Sequence, residues 1–183
     1  MKIFFDTEFT GLHKDTTIVS IGMITEDGKQ FYAEFTDYDS KQCNDWIQAN
    51  VLEHTLQRNW KKRESVYVEN YHLGTKVDIG KTLENWLAQF DQVEFISDVC
   101  HYDMVLLIDL FGTAFELPGQ CSPSCYDINQ DIAKHYGISQ KEAFNKSREE
   151  ILEENKIEIE GDKHNSLYDA KVIKELYYIL NKK

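Results

Sequence analysis

A chain of 183 residues is long enough for one domain with a substantial core and short for two, so residues 1–183 are expected to form a single domain. Hydrophobic residues make up 42% of it and aromatic residues 13%, which excludes a disordered chain, and no apolar run reaches the roughly 20 residues of a membrane helix. The net charge of −12, from 32 acidic and 20 basic residues, argues against wrapping a long duplex, since phosphate affinity comes from Lys and Arg. It leaves open a grip on the last few nucleotides of a strand through bound metal ions.

The chain starts directly on an apolar run with no signal-peptide pattern, so a cytoplasmic location is the expectation. That run, "KIFFDTEF" at 2–9, reads as a buried strand that carries two carboxylates. Alternation puts Ile3, Phe5, Thr7 and Phe9 on one face, and Phe4, Asp6, Glu8 and Thr10 on the other. Asp6 and Glu8 therefore point the same way and repel each other, which calls for something positive between them. "TIVSIGMIT" and "KQFYAEF" follow as β-rich runs joined by an "EDG" hairpin turn.

A helical region is expected over 44–55, and "KKR" at 61–63 reads as solvated surface rather than a nucleic-acid patch. A clearer helix covers 78–90, a short strand covers 93–97, and a helix through "YDMVLLIDLFG" stops at Gly112. In "QCSPSC", Cys121 and Cys125 form a C-x3-C pair, but no second pair follows; free thiols are favoured over zinc, which normally takes four ligands. "SCYDI" reads as a fifth strand before the helix "NQDIAKHYG". A charged helical stretch (139–155), a loop with "EGDKHN" and a last helix (166–181) complete the chain. Three antiparallel-capable strands followed by strands alternating with helices indicate an α/β fold with a mixed five-stranded sheet flanked by helices.

Most of the acids are solvated surface, and helical periodicity sorts out those that face the core. In the last helix Ala170, Ile173, Leu176, Tyr177 and Leu180 make an apolar stripe, and Asp169 projects into it. Asp103 shares a face with Leu106, Leu107 and Leu110, whereas Asp109 falls away from that face. Either aspartate alone fits a helix cap as well as a functional site. Capping does not account for the strand pair Asp6 and Glu8. Four such acids with hard oxygen donors favour Mg²⁺ or Mn²⁺ over zinc. His164 lies five residues before Asp169, which on one continuous helix would put them on different faces. With Asn165 or Ser166 capping the helix, His164 belongs to the preceding loop, free to approach a water.

"FDTEFTGL" resembles the first motif of the DEDDh family of 3′-5′ exonucleases, which have a ribonuclease H-like fold. "HNSLYDA" is similar to its third motif, and "ISDVCHYDMVLL" to its second. The motifs stand in the family's order and span residues 6–170. The second departs from the pattern: Asp98 stands where the family often has asparagine, which makes it a rival to Asp103. The "YD" and "LL" flanks and the core-facing stripe favour Asp103. Ser166 replaces an alanine common in the third motif.

The resemblance implies a metal-dependent 3′-5′ exonuclease releasing nucleoside 5′-monophosphates. It implies two divalent ions, Mg²⁺ or Mn²⁺, held by Asp6, Glu8, Asp103 and Asp169, with Asp6 bridging both. One ion would activate a water and the other stabilise the leaving 3′ oxygen, while His164 takes the water's proton. Thr10, Gly11 and Leu12 match the family's substrate-handling segment, although a strand-ending turn explains them equally. Tyr102 and Tyr168 are candidates for stacking on bases. The opening "DTEFTGL" with "VSIGMITEDGKQFYAEF" is closest to small bacterial and phage exoribonucleases, so the single-stranded 3′ end of RNA is the expected partner. A proofreading-type DNA exonuclease is the alternative. An interaction module or acidic nucleic-acid mimic on the same fold is a third reading, and many members of the family are dimers.

Overall fold

A computed structural model describes residues 1–58 and 70–182. The "KKR" run at 61–63 therefore lies outside the described residues. Strands β1 (Lys2–Phe9), β2 (Ile18–Thr25) and β3 (Gln30–Phe35) form the expected antiparallel unit, with Asp6 opposite Gly22 and Glu8 opposite Ser20. Gly28 takes the positive φ of +94° that the β2–β3 turn requires, and its N–H donates to the Thr25 carbonyl at 3.0 Å.

The sheet has six strands, not five, in the order β4-β3-β2-β1-β5-β6. The strand missing from the sequence reading is β4 (Tyr71–Gly74), which runs parallel to β3 at one edge. Four residues are too few to show a period, and an edge strand with one partner does not need a continuous apolar run. β5 (Val93–Ser97) runs parallel to β1, and β6 (Cys121–Asp127) parallel to β5. β6 starts three residues before the expected strand, because its first half bulges against Val93–Phe95 and shows no alternation.

Helices α1 (Asp45–Asn50), α2 (Lys76–Leu87), α3 (Cys100–Asp109), α4 (Asn129–Tyr136), α5 (Gln140–Asn145), α6 (Arg148–Glu154) and α7 (Ser166–Leu180) cover the sheet. The expected helix over 44–55 is α1 followed by a 3₁₀ turn, Leu52–His54. The helix expected from 78 begins two residues earlier, where Thr75 and Asp78 make a capping box. The charged stretch 139–155 divides into α5 and α6, each started by a serine cap, Ser139 and Ser147.

The alternation read in β1 holds across both faces of the sheet. Ile3 and Phe5 join a core with Leu83 of α2 and Leu107 of α3, while Phe4 joins another with Ile173 and Leu176 of α7. β2 is buried along its whole length. Gly22 lies where α7 meets the sheet: a Cβ there would stand 2.2–2.4 Å from the backbone of Ser166 and Leu167. Only glycine allows this approach, and the buried Ser20–Ser166 hydroxyl contact at 2.9 Å lies beside it.

Candidate active site

The parallel strands β1 and β5 end on the same side, and the predicted acids gather at their carboxyl ends. Asp6 and Glu8 project from the last half of β1, Asp98 directly follows β5, and Asp103 stands in the first turn of α3. Asp169 stands in the first turn of α7 and His164 in the loop before it. Ligand atoms of Asp6, Asp98 and Asp103 lie within 4.8 Å of one another, as do those of Glu8, His164 and Asp169. The structure thus brings together every residue expected to be catalytic. Asp109 is instead on the surface, paired with Lys76 at 2.7 Å. Between Glu8 and Phe9 the β1–β2 register shifts, a bulge of the kind that re-aims side chains beside a site.

Asp103 is fully buried and tightly held. Its Oδ1 accepts from the Thr7 N–H at 3.2 Å and from the Thr7 hydroxyl at 2.6 Å, and its Oδ2 from the Ser97 hydroxyl. Asp98 lies beside it, and of the two only Asp98 lines the cavity described below. The Asp98 Oδ2 accepts from Arg148 Nε at 3.0 Å, and among the described residues this is the only ion pair made by any of the five acids.

Burial and mutual repulsion dominate the electrostatics. Loss of water, then the charges of Asp103 and Asp169, pushes the Asp6 carboxyl well above the usual range. Glu8 is raised in the same way by burial, Asp169 and Asp103. Burial lifts Asp103 to about 7 against the opposing hydrogen bonds from Ser97 and Thr7, and lifts Asp169 to about 8. Packed acids with so little countercharge are a costly arrangement for a protein by itself. Oxygen donors with one imidazole and no thiolate suit a hard divalent cation, so the residues fit Mg²⁺ or Mn²⁺.

Asn165 caps α7 through its side-chain oxygen, which accepts from the N–H groups of Leu167 and Tyr168, and this frees His164 from the helix. His164 has a left-handed backbone, φ +63°, and its N–H donates to Asp169 Oδ2 at 2.9 Å. Its ring meets the edge of Trp46 with centroids 5.3 Å apart. Burial, followed by the charge of Lys163, holds the imidazole below its ordinary pKa, so at neutral pH it is free to accept a proton.

A cavity of about 850 Å³ is lined by Asp6, Glu8, Asp98, His164 and Asp169, with Asp103 buried behind Asp6 and Asp98. Gly11 and Leu12 line it, and Leu12 (72% exposed), Trp46 (54%) and Phe144 (52%) give it an apolar rim. Thr10 is buried, and its hydroxyl joins Thr17 and Gln42 in pinning the turn after β1. Tyr102 is stacked on Phe9, centroids 5.2 Å apart, and Tyr168 packs near Gly161. Neither tyrosine is among the cavity-lining residues.

Several supporting residues escaped the sequence reading. Thr7 faces away from Asp6 along β1, so nothing in the alternation foretells that it holds Asp103. Glu34 is buried in β3 and accepts from the N–H groups of Leu56 and Gln57 and from the Tyr32 and Tyr71 hydroxyls. The Tyr32 hydroxyl in turn accepts from Asn165 Nδ2 at 3.1 Å, tying the α7 cap to the sheet. A charged residue amid the apolar positions of β3 is the one signal that pointed to Glu34. Arg148, in a charged helix, gave none.

Residues 1–179 match the family model described as the Rv2179c-like 3′-5′ exoribonuclease domain. Two curated relatives, 3′-5′ exoribonuclease Rv2179c of Mycobacterium tuberculosis strain H37Rv and 3′-5′ exoribonuclease MT2234.1 of strain CDC 1551, are each 28% identical over 121 residues. The alignment covers 64% of this chain and 66% of each relative, just under two thirds of their length. Among solved structures, the nuclease domain of 3′hExo, a DEDDh family member bound to rAMP, superposes with a TM-score of 0.67 at 13% identity. That superposition covers 98% of this chain and 90% of the other. S. pombe Pop2p in its Mg²⁺- and Mn²⁺-bound form gives 0.61 at 17% identity, covering 98% and 82%. At these identities the structural likenesses establish the fold, which is the ribonuclease H-like fold of the DEDDh nucleases with a sixth strand added to the expected five. With the family model spanning nearly its whole length, the chain belongs to the Rv2179c-like 3′-5′ exoribonuclease domain family.

Proposed function

We propose that this chain is a metal-dependent 3′-5′ exoribonuclease, acting as a single catalytic domain on the single-stranded 3′ end of RNA. The observation that carries the reading is the convergence of four acids from three separate elements: Asp6, Glu8 and Asp169 line one cavity with His164, and Asp103 is buried against Asp6. Asp6, Glu8, Asp103 and Asp169 are assigned to hold two divalent cations, Mg²⁺ or Mn²⁺. When bound, such ions lower the pKa of a water and offset negative charge on the leaving oxygen.

The chain's own residues do the rest. Thr7 and Ser97 fix the Asp103 carboxylate in one orientation. The His164 backbone bond to Asp169 ties base and acid together, and the imidazole nitrogen takes the proton from the attacking water. Leu12, Trp46 and Phe144 offer the unstacked terminal bases an apolar surface, for which single strands are suited and duplexes are not. Gly11 permits close backbone approach, and Thr10 holds the turn that presents it.

RNA is preferred over DNA because the matched family model and both curated relatives are described as exoribonucleases. The test is to follow 5′-labelled RNA and DNA oligonucleotides of one sequence with Mg²⁺, Mn²⁺ or EDTA. Stepwise shortening of RNA from its 3′ end with a metal, and none with EDTA, is the expected result. Equal or faster loss of DNA would move the assignment to a DNA exonuclease, and no cleavage of either would leave an interaction module.

A further inference from the structure

The five clustered acids include one more than the proposed metal ligands, and that fifth acid, Asp98, comes with its own cation. Arg148 reaches it from α6 and is braced on every side. Nε donates to Asp98 Oδ2 at 3.0 Å, Nη2 to Asn129 Oδ1 at 2.7 Å, and Nη1 to the carbonyls of Ala143 and Lys146 at 2.9 and 2.7 Å. Asn129 in turn donates to the Asp98 carbonyl at 2.6 Å and to Asp127 at 2.8 Å. The two side chains are 16% and 13% exposed, so water screens their charges poorly. With four N–H bonds already made, this guanidinium is a fixed countercharge rather than a free phosphate hook.

The other cations lining the cavity are cancelled locally. Lys163 pairs with Glu149 at 3.0 Å and Lys146 with Glu154 at 3.9 Å. Five carboxylates against one guanidinium leave four negative charges, the amount that two dications neutralise. We propose that Asp98 and Arg148 are a charge-matched pair of positioning residues: Arg148 cancels the extra acid, keeps one Asp98 oxygen from the metals, and so sets the affinity of the centre for divalent cations. The proposal rests on the metal-centre reading above.

The experiment measures Mn²⁺ binding by titration calorimetry on the purified full chain without RNA, with thermal melting to verify folding. Asp98→Asn keeps an oxygen for Arg148 but removes a negative charge, and should weaken Mn²⁺ binding about tenfold. Arg148→Met removes the positive charge and should tighten binding by a similar factor. The double variant should return to within about threefold of the parent, as should Arg148→Lys, which keeps the charge while losing the braces. If Arg148→Met does not fold, Arg148→Gln takes its place with the same expectation. Unchanged affinity in Asp98→Asn overturns the proposal, as does weakening by both single changes that simply adds in the double. A parent that binds no Mn²⁺ would instead defeat the metal-centre reading itself.

Discussion

The division of labour among neighbouring residues is clearest at His164. Its imidazole and its backbone do different things: the ring faces the cavity, while the N–H holds Asp169 from a left-handed conformation. An alanine variant would confound the two, since φ +63° disfavours most side chains. Asparagine tolerates that conformation and has no basic nitrogen. His164→Asn should therefore lower kcat on RNA by roughly 10²- to 10⁴-fold, the range for losing a general base, with Mn²⁺ affinity and melting temperature little changed. Single-turnover kinetics with calorimetry of metal binding checks this. A parallel fall in Mn²⁺ affinity would make His164 a ligand rather than a base. The sequence showed His164 and Asp169 five positions apart. That Asn165 would cap α7 and separate them was one of two options the local pattern allowed.

Among the elements, the decisive contact is the seating of α7 on β2. Gly22 lies across from Asp6 in the sheet and directly under the backbone of Ser166 and Leu167, one turn before Asp169. A methyl group there meets main-chain atoms at 2.2–2.4 Å, which cannot swing aside as a side-chain end would. Gly22→Ala should lift the start of α7, destabilise the fold by about 1–3 kcal/mol as overpacking does, and move Asp169 away from Glu8. The expected outcome is a lower denaturant midpoint together with at least tenfold weaker Mn²⁺ binding. Loss of stability with intact metal affinity would show that the acids do not depend on this seating. Nothing in "VSIGMIT" marks its glycine as a contact point, because the contact is with a helix 144 positions away.

For the whole molecule, the site gathers buried acids that repel one another, a repulsion that bound dications would relieve. Burial pushes Asp103 up to about 7 and Asp169 up to about 8, and it also raises Asp6 and Glu8. A carboxyl whose folded pKa exceeds its unfolded value binds more protons folded than unfolded. Stability then falls as pH rises from the ordinary carboxylate range through the folded values. The metal-free chain should accordingly melt at progressively lower temperature between pH 5 and about 8. Saturating Mg²⁺ should raise the melting temperature, and more so at pH 8 than at pH 5. Calorimetric melting with EDTA or Mg²⁺ across this range tests the trend. A metal-free chain that gained stability with rising pH would contradict the buried, mutually repelling acids.

The sequence by itself determined the alternating β1 with two acids on one face, the order of the strands and helices apart from β4 and the division of 139–155, and the candidate acids and histidine. These are local or periodic properties: side-chain period and capping chemistry are written within a few residues. Only the tertiary structure decided the rest. It added β4, whose four residues take their strand identity from β3. It placed Asp98 and Asp103 side by side, with Thr7 and Ser97 holding one and Arg148 the other. Thr7 lies 96 positions from Asp103 and Arg148 lies 50 from Asp98. Hydrogen bonds and charge pairing act through space, so a residue's countercharge or donor leaves no trace in the sequence around it.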